Sequence, residues 1–305
     1  MPVRKPEKTT ATETTARRTE RGLSAGTGAL GATEQGQAAE PVRAPRSRRV
    51  AVPAPRKKAS ASRRSPRELL PEDMLARAMA AETPRSRAMW ARRGLGLPGS
   101  LDPTTQAMLL RQLYLSYYET RRFKDAALVA EQAAETGVLP DVAHQDAARA
   151  RQALGDVDGA AGHLRIAARV GPANRKAFHW WTLGSLYFLA GRYAQAASAL
   201  QRAARWGTTD KPLYQGHLAV VRCASGQRVD DLRELSQRLA EVPAGQGYGR
   251  FILGHLAYYD GRLTEARRYL EAFVRRSSSG RAVLAIALAG EIEAARRLLA
   301  TLGRS

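Results

Sequence analysis

An all-α protein, a stack of helical hairpins behind an N-terminal tail without packed structure, is what this sequence predicts. Three observations carry the prediction. After Arg67 the helix-forming residues dominate, and apolar side chains recur three and four positions apart, the period of a helix face. Glycines fall in similar contexts at Gly155, Gly191, Gly226, Gly261 and Gly290, with spacings of 36, 35, 35 and 29 residues. No Phe, Trp or Tyr occurs before Trp90, so the first part of the chain lacks the anchors that would offset backbone ordering.

Residues 1–66 come first and are expected to be a disordered basic tail. Of the formal net charge of +21, the segment from Met1 to Arg67 carries sixteen Lys and Arg against five Glu, a balance of +11. Lys8 to Glu40 is a low-complexity mixture of Thr, Gly, Ala and Glu. Val42 to Arg67 then holds ten basic residues and no acid: Arg43, Arg46, Arg48, Arg49, Arg56, Lys57, Lys58, Arg63, Arg64 and Arg67. Such a run suits a polyanion, either nucleic-acid phosphate or an anionic surface. It has no interleaved aromatics for base stacking. Pro45, Pro53, Pro55 and Pro66 keep it extended rather than helical. Ser60, Ser62 and Ser65 sit among the basic residues, where phosphorylation would lower the charge.

Residues 67–106 are expected to form two capping helices and a linker. Pro71 to Ala81 and Pro84 to Arg93 each begin with Pro at a favourable first position, and Thr83 is placed to cap the second. The stretch GLGLPG ends that helix, and Asp102-Pro103 opens the next. The open end of a stack needs an amphipathic cover, which this pair would supply.

The remaining chain, 107–305, divides into units of about 107–140, 141–174, 177–210, 212–245 and 247–280, with a partial unit at 281–303. In each, one helix ends at a Gly suited to a left-handed conformation and a second begins a few residues later. A lone hairpin cannot bury its apolar face, so neighbours must complete the core. The best-formed unit carries Trp180, Leu183, Gly184, Tyr187, Gly191, Tyr193, Ala196, Leu200 and Ala203, with Thr208 near its end. In the 212–245 unit, Asp231 occupies a position given to Ala in the others.

Those residues resemble the tetratricopeptide repeat pattern, which has Pro where Thr208 stands. The resemblance covers about 200 of the 305 residues. It implies a right-handed superhelix in which the first helix of each unit lines a concave groove. Carried over position by position, the groove would contain Met108, Arg111, Leu115 and Tyr118, then Arg149 and Gln152. Phe178, Trp181, Ser185 and Phe188 follow, then Tyr248, Phe251, His255, Tyr258 and Tyr259. Aromatic residues of this kind suit an extended peptide or a partner helix. In this frame Trp180 would be buried between the helices of its own hairpin and Trp181 would face the groove. The family's clamp for chaperone tails is not expected, because Leu115 takes the place of its Asn although Arg111 takes that of its Lys.

The chemistry of catalysis is not found. The five histidines, His144, His163, His179, His217 and His255, are not spaced as paired metal ligands and read as surface or groove residues. Cys223, the single cysteine, excludes an internal disulfide and reads as a buried, inert thiol. Gly94, Gly96 and Gly99 match a dinucleotide-binding spacing, but a helical pattern precedes them and Pro98 removes an N–H from the turn. Arg262, Arg267, Arg268, Arg275, Arg276 and Arg281 crowd the last full unit and read as a solvated convex face or a site for an acidic partner or a nucleic-acid backbone.

No apolar run near Met1 is long enough for a signal-peptide core, and no stretch of 18 apolar residues suggests a membrane span. The expectation is a soluble, cytoplasmic, non-catalytic scaffold without cofactor or metal, binding a protein or peptide in its groove. The alternative is a nucleic-acid-associated protein that binds through its tail, with the repeats as platform.

Overall fold

The computed structural model describes residues 70–279 and 282–303, and all secondary structure among them is helical. The polyanion run from Arg43 to Arg67, and Arg281, lie outside the described residues. Two helices precede the repeats, α1 (Pro71–Met79) and α2 (Pro84–Leu95). The hairpins are α3 (Pro103–Glu119) with α4 (Phe123–Glu135), α5 (Pro140–Ala153) with α6 (Val157–Val170), and α7 (Ala173–Leu189) with α8 (Tyr193–Trp206). Next come α9 (Lys211–Ala224) with α10 (Leu232–Ala240), the single turn α11 (Pro243–Gln246), and α12 (Gly249–Tyr259) with α13 (Leu263–Ser279). Two further helices, α14 (Ala282–Ala287) and α15 (Ala289–Leu302), follow.

Local chemistry sets most of these starts. Thr83 accepts a hydrogen bond from the Ser86 N–H at 3.2 Å and caps α2. Asp102 accepts from the N–H groups of Thr104 and Thr105 and caps α3, which begins at Pro103 rather than at 107. α1 and α2 pack on α3: Met74 and Ala78 are fully buried, Ser116 donates to the Pro84 carbonyl, and Arg87 pairs with Glu119 at 2.7 Å.

Five hairpins turn in the same way. The N–H three residues past each first helix reaches back to a carbonyl five residues earlier: Arg122 to Tyr117, Asp156 to Arg151, Arg192 to Tyr187, Gln227 to Arg222 and Arg262 to Ala257. This closure needs a left-handed residue just before that N–H. Gly155, Gly191, Gly226 and Gly261 supply it with φ between 72° and 82°. In the first hairpin Arg121 does so, at φ 58°.

Within a hairpin the two helices approach through a small residue facing a large one. A Cβ on Gly184 would stand 2.5 Å from Leu200 Cγ, and one on Gly254 would meet Leu270 at 2.6 Å. The first hairpin reverses the sizes, with Tyr114 on α3 and Ala130 on α4, both buried.

Two expectations at the element level need correction. The 212–245 unit departs from the frame because α10 starts at Leu232, six residues after Gly226, so Asp231 precedes the helix instead of packing inside it. Gly290 is not a left-handed turn residue; it lies in the first turn of α15, and a Cβ there would meet Leu189 Cδ1 at 2.9 Å. Its role is close approach to α7.

The described helices pack consecutively, each against the next, and a few polar links tie repeats one period apart. Arg175 and His179 on α7 both contact Asp141 on α5, at 3.0 and 3.1 Å. Arg111 on α3 reaches Asp146 on α5 at 3.3 Å. One non-consecutive arrangement stands out: α14 lies against α3 and α5, and α15 against α7 as well as α13.

Candidate functional site

Many of the sequence-predicted groove residues, on α3, α5, α7 and α12, come together in two groups. The larger group is an aromatic interior. The Trp181 and Tyr248 rings meet edge to face at 4.7 Å, and Phe251 and His255 lie 4.4 Å apart. Phe188 contacts the rings of His217, Phe251 and His255. Phe178 joins through Trp181 at 5.9 Å. This packing is tight: Trp181, Tyr248, Phe251 and His255 are 8% exposed or less.

The contrast expected between the two adjacent tryptophans is therefore reversed in exposure. Trp181 points at α9 and the start of α12 and is buried there. Trp180 points toward α8, where the Arg202 guanidinium stacks 4.6 Å from its ring, and is only half-buried. Tyr258 and Tyr259 do lie near the surface, their rings 5.3 Å apart.

The histidines also differ from the surface reading, because His179, His217 and His255 are buried. Neither ring nitrogen of His217 has a partner among the described residues. Burial, with His255 nearby, holds its pKa down to about 3, so the ring is neutral. Burial brings His255 to about 4, although its Nδ1–H donates to the Phe251 carbonyl at 2.8 Å. His144 and His163, 19 positions apart, are brought together with their Nδ1 atoms 2.9 Å apart. Among the described residues no group of three or more His, Cys, Asp and Glu is arranged to hold a metal ion. Cys223 is half-buried, and burial pushes its thiol up.

Against this aromatic interior sits an acid that sequence reasoning missed. Glu291 of α15 is 5% exposed; its Oε1 accepts from the Ser185 hydroxyl at 3.1 Å and from the Tyr248 hydroxyl at 3.3 Å. Burial raises its pKa despite those donors. Glu291 thus fastens the start of α15 to α7 and to the residue preceding α12.

The second group surrounds a cavity of about 360 Å³. Tyr118, Arg121 and Phe123 supply one wall, Arg149 and Gln152 the next, and Leu186 and Leu189 the third; Ile286 and Gly290 close the remaining side. Tyr118 is buried, which pushes its hydroxyl up to about 12 even with Arg149 nearby. Arg111, the other expected groove cation, is turned to Asp146. Arg121 was legible in principle, as the one hairpin turn without its glycine. Leu186, Leu189 and Ile286 carry no comparable signal in the sequence.

No family model matches this chain, and no curated protein matches it either. No described helix is long and apolar enough to cross a membrane.

Proposed function

We propose that this chain is a non-catalytic scaffold of tetratricopeptide type, a right-handed superhelix whose concave face receives a peptide or helix from a partner protein. The observation that supports this most is that the face already accommodates helices of the same chain. α14 lies on α3 and α5, and α15 is held to α7 through Glu291. A surface that seats one helix by apolar contact and a hydrogen-bonded polar anchor has the chemistry to seat another.

The groove residues then divide by task. Trp181, Tyr248, Phe251 and His255 form the floor and set its shape. Phe178, Phe188, Arg149, Tyr258 and Tyr259 keep exposure for a partner, as do Met108, Arg111, Leu115 and Gln152. Full-length protein carrying Glu291→Ala, which loosens the start of α15, is expected to capture more partner than wild type. A Tyr258→Ala, Tyr259→Ala variant is expected to capture less, with the helical circular dichroism of both unchanged. Identical capture by all three proteins would sink the reading.

A further inference from the structure

We propose that the cavity lined by α3, α5, α7 and the α14–α15 arm binds a small amphipathic anion, an apolar body bearing one carboxylate or phosphate, whose head group is held by Arg121 and Arg149. This goes beyond protein binding and does not depend on it.

The charge around the cavity is one-sided. Asp146, the acid nearest Arg149, already serves Arg111 at 3.3 Å and reaches Arg149 only at 3.9 Å. Asp125 is engaged by Arg122 and Glu119 by Arg87. Glu291, beside the lining residue Gly290, is turned to Ser185 and Tyr248. Among the described residues the Arg121 guanidinium has no hydrogen bond or ion pair, and it stands exposed at the rim. A guanidinium offers five donors in a fixed fork that fits carboxylate and phosphate oxygens.

The position of Arg121 adds a second line of argument. Its left-handed backbone is one that four other hairpins give to glycine. A side chain kept there against the local preference, at the mouth of a cavity, fits a ligand-binding role. Apart from Gln152 and the Tyr118 hydroxyl the rest of the lining is apolar: Phe123, Leu186, Leu189 and Ile286 line an open-sided cavity of about 360 Å³. Small-ligand sites run from about 300 to 1,000 Å³, with mostly apolar walls and a few polar groups that fix orientation.

Calorimetric titration of the full chain with decanoate, decyl phosphate, decanol and inorganic phosphate tests this. One or both of the ten-carbon anions should bind at one molecule per chain, and decanol should bind about tenfold or more weakly, since a charge-assisted pair is lost. The tighter anion tells carboxylate from phosphate. Arg121→Gly should weaken anion binding about tenfold while raising the melting temperature, because it relieves the left-handed backbone, so lost affinity is not lost fold. Arg149→Gln should weaken it similarly. The proposal is overturned if neither anion binds, if decanol or inorganic phosphate binds as tightly, or if Arg121→Gly leaves affinity unchanged.

Discussion

Trp181 and His217 show how much individual side chains in this interior are committed to packing. Trp181 is enclosed by Phe178, Tyr214 and Tyr248. Trp181→Ala should therefore lose about 3 to 5 kcal/mol in urea unfolding, the usual range for a buried large aromatic. Trp180→Ala removes a half-buried ring and one stacked guanidinium, and should lose about 1 to 2 kcal/mol. His217 behaves differently because its cost depends on pH. The unfolded chain takes up a proton near the ordinary value of 6.5, whereas the folded ring does so only near 3. Stability from this group is thus present above about pH 6.5 and is lost as pH falls toward 3. His217→Leu, which also removes two unpartnered nitrogens, should raise the melting temperature at pH 7 and flatten its decline between pH 6.5 and pH 4.5. The sequence placed Trp180 and Trp181 on different sides of α7, which a 3.6-residue turn dictates. Which side was more crowded depended on Tyr214 and Tyr248 from later hairpins, and no pattern within α7 encodes that.

Among the elements, α15 has the most to reveal by perturbation. Its attachment to α7 combines the close approach of Gly290 to Leu189 with one buried carboxyl, Glu291, whose pKa is raised chiefly by burial. A raised carboxyl pKa means that the folded protein holds its proton when the unfolded chain has lost it. That contribution is present in full below the ordinary carboxylate value and is lost as pH rises through the folded one. Glu291→Gln should remove this dependence, so that hydrogen exchange at the start of α15 becomes slower than wild type at pH 8 and similar at pH 4. The hairpins themselves were legible because each carries its own turn signal and apolar period. α14 was not, since six residues of Ala, Val, Leu and Ile carry no signal of the face on which they settle. Gly290 misled for a related reason: glycine marks a turn and a close approach equally well, and only the proximity of Leu189 distinguishes them.

On the scale of the whole molecule, about half of the net charge lies ahead of the first described helix. The described helices begin at Pro71, whereas the ten-residue basic set lies between Val42 and Arg67. Removing residues 1–66 should leave the melting temperature and helical circular dichroism unchanged. If all ten cations meet phosphate, the full chain should bind duplex DNA with a log-log salt slope of about −9, at about 0.9 per contact. A truncated protein with the same slope would show that the repeats, with the arginines of α13, carry the polyanion binding instead.

The bond between Ser185 and Glu291 joins residues 106 positions apart, while most contacts in the stack link neighbouring helices. Hairpins of this kind can form and dock as each leaves the ribosome, since a repeat needs only its neighbour. The cavity cannot be completed in that way, because its lining residues on α14 and α15, Ala285 to Gly290, are made after those on the hairpins. A nascent chain would thus hold a folded stack with an open trough, and the cavity would take shape only after the hairpins that form its other walls.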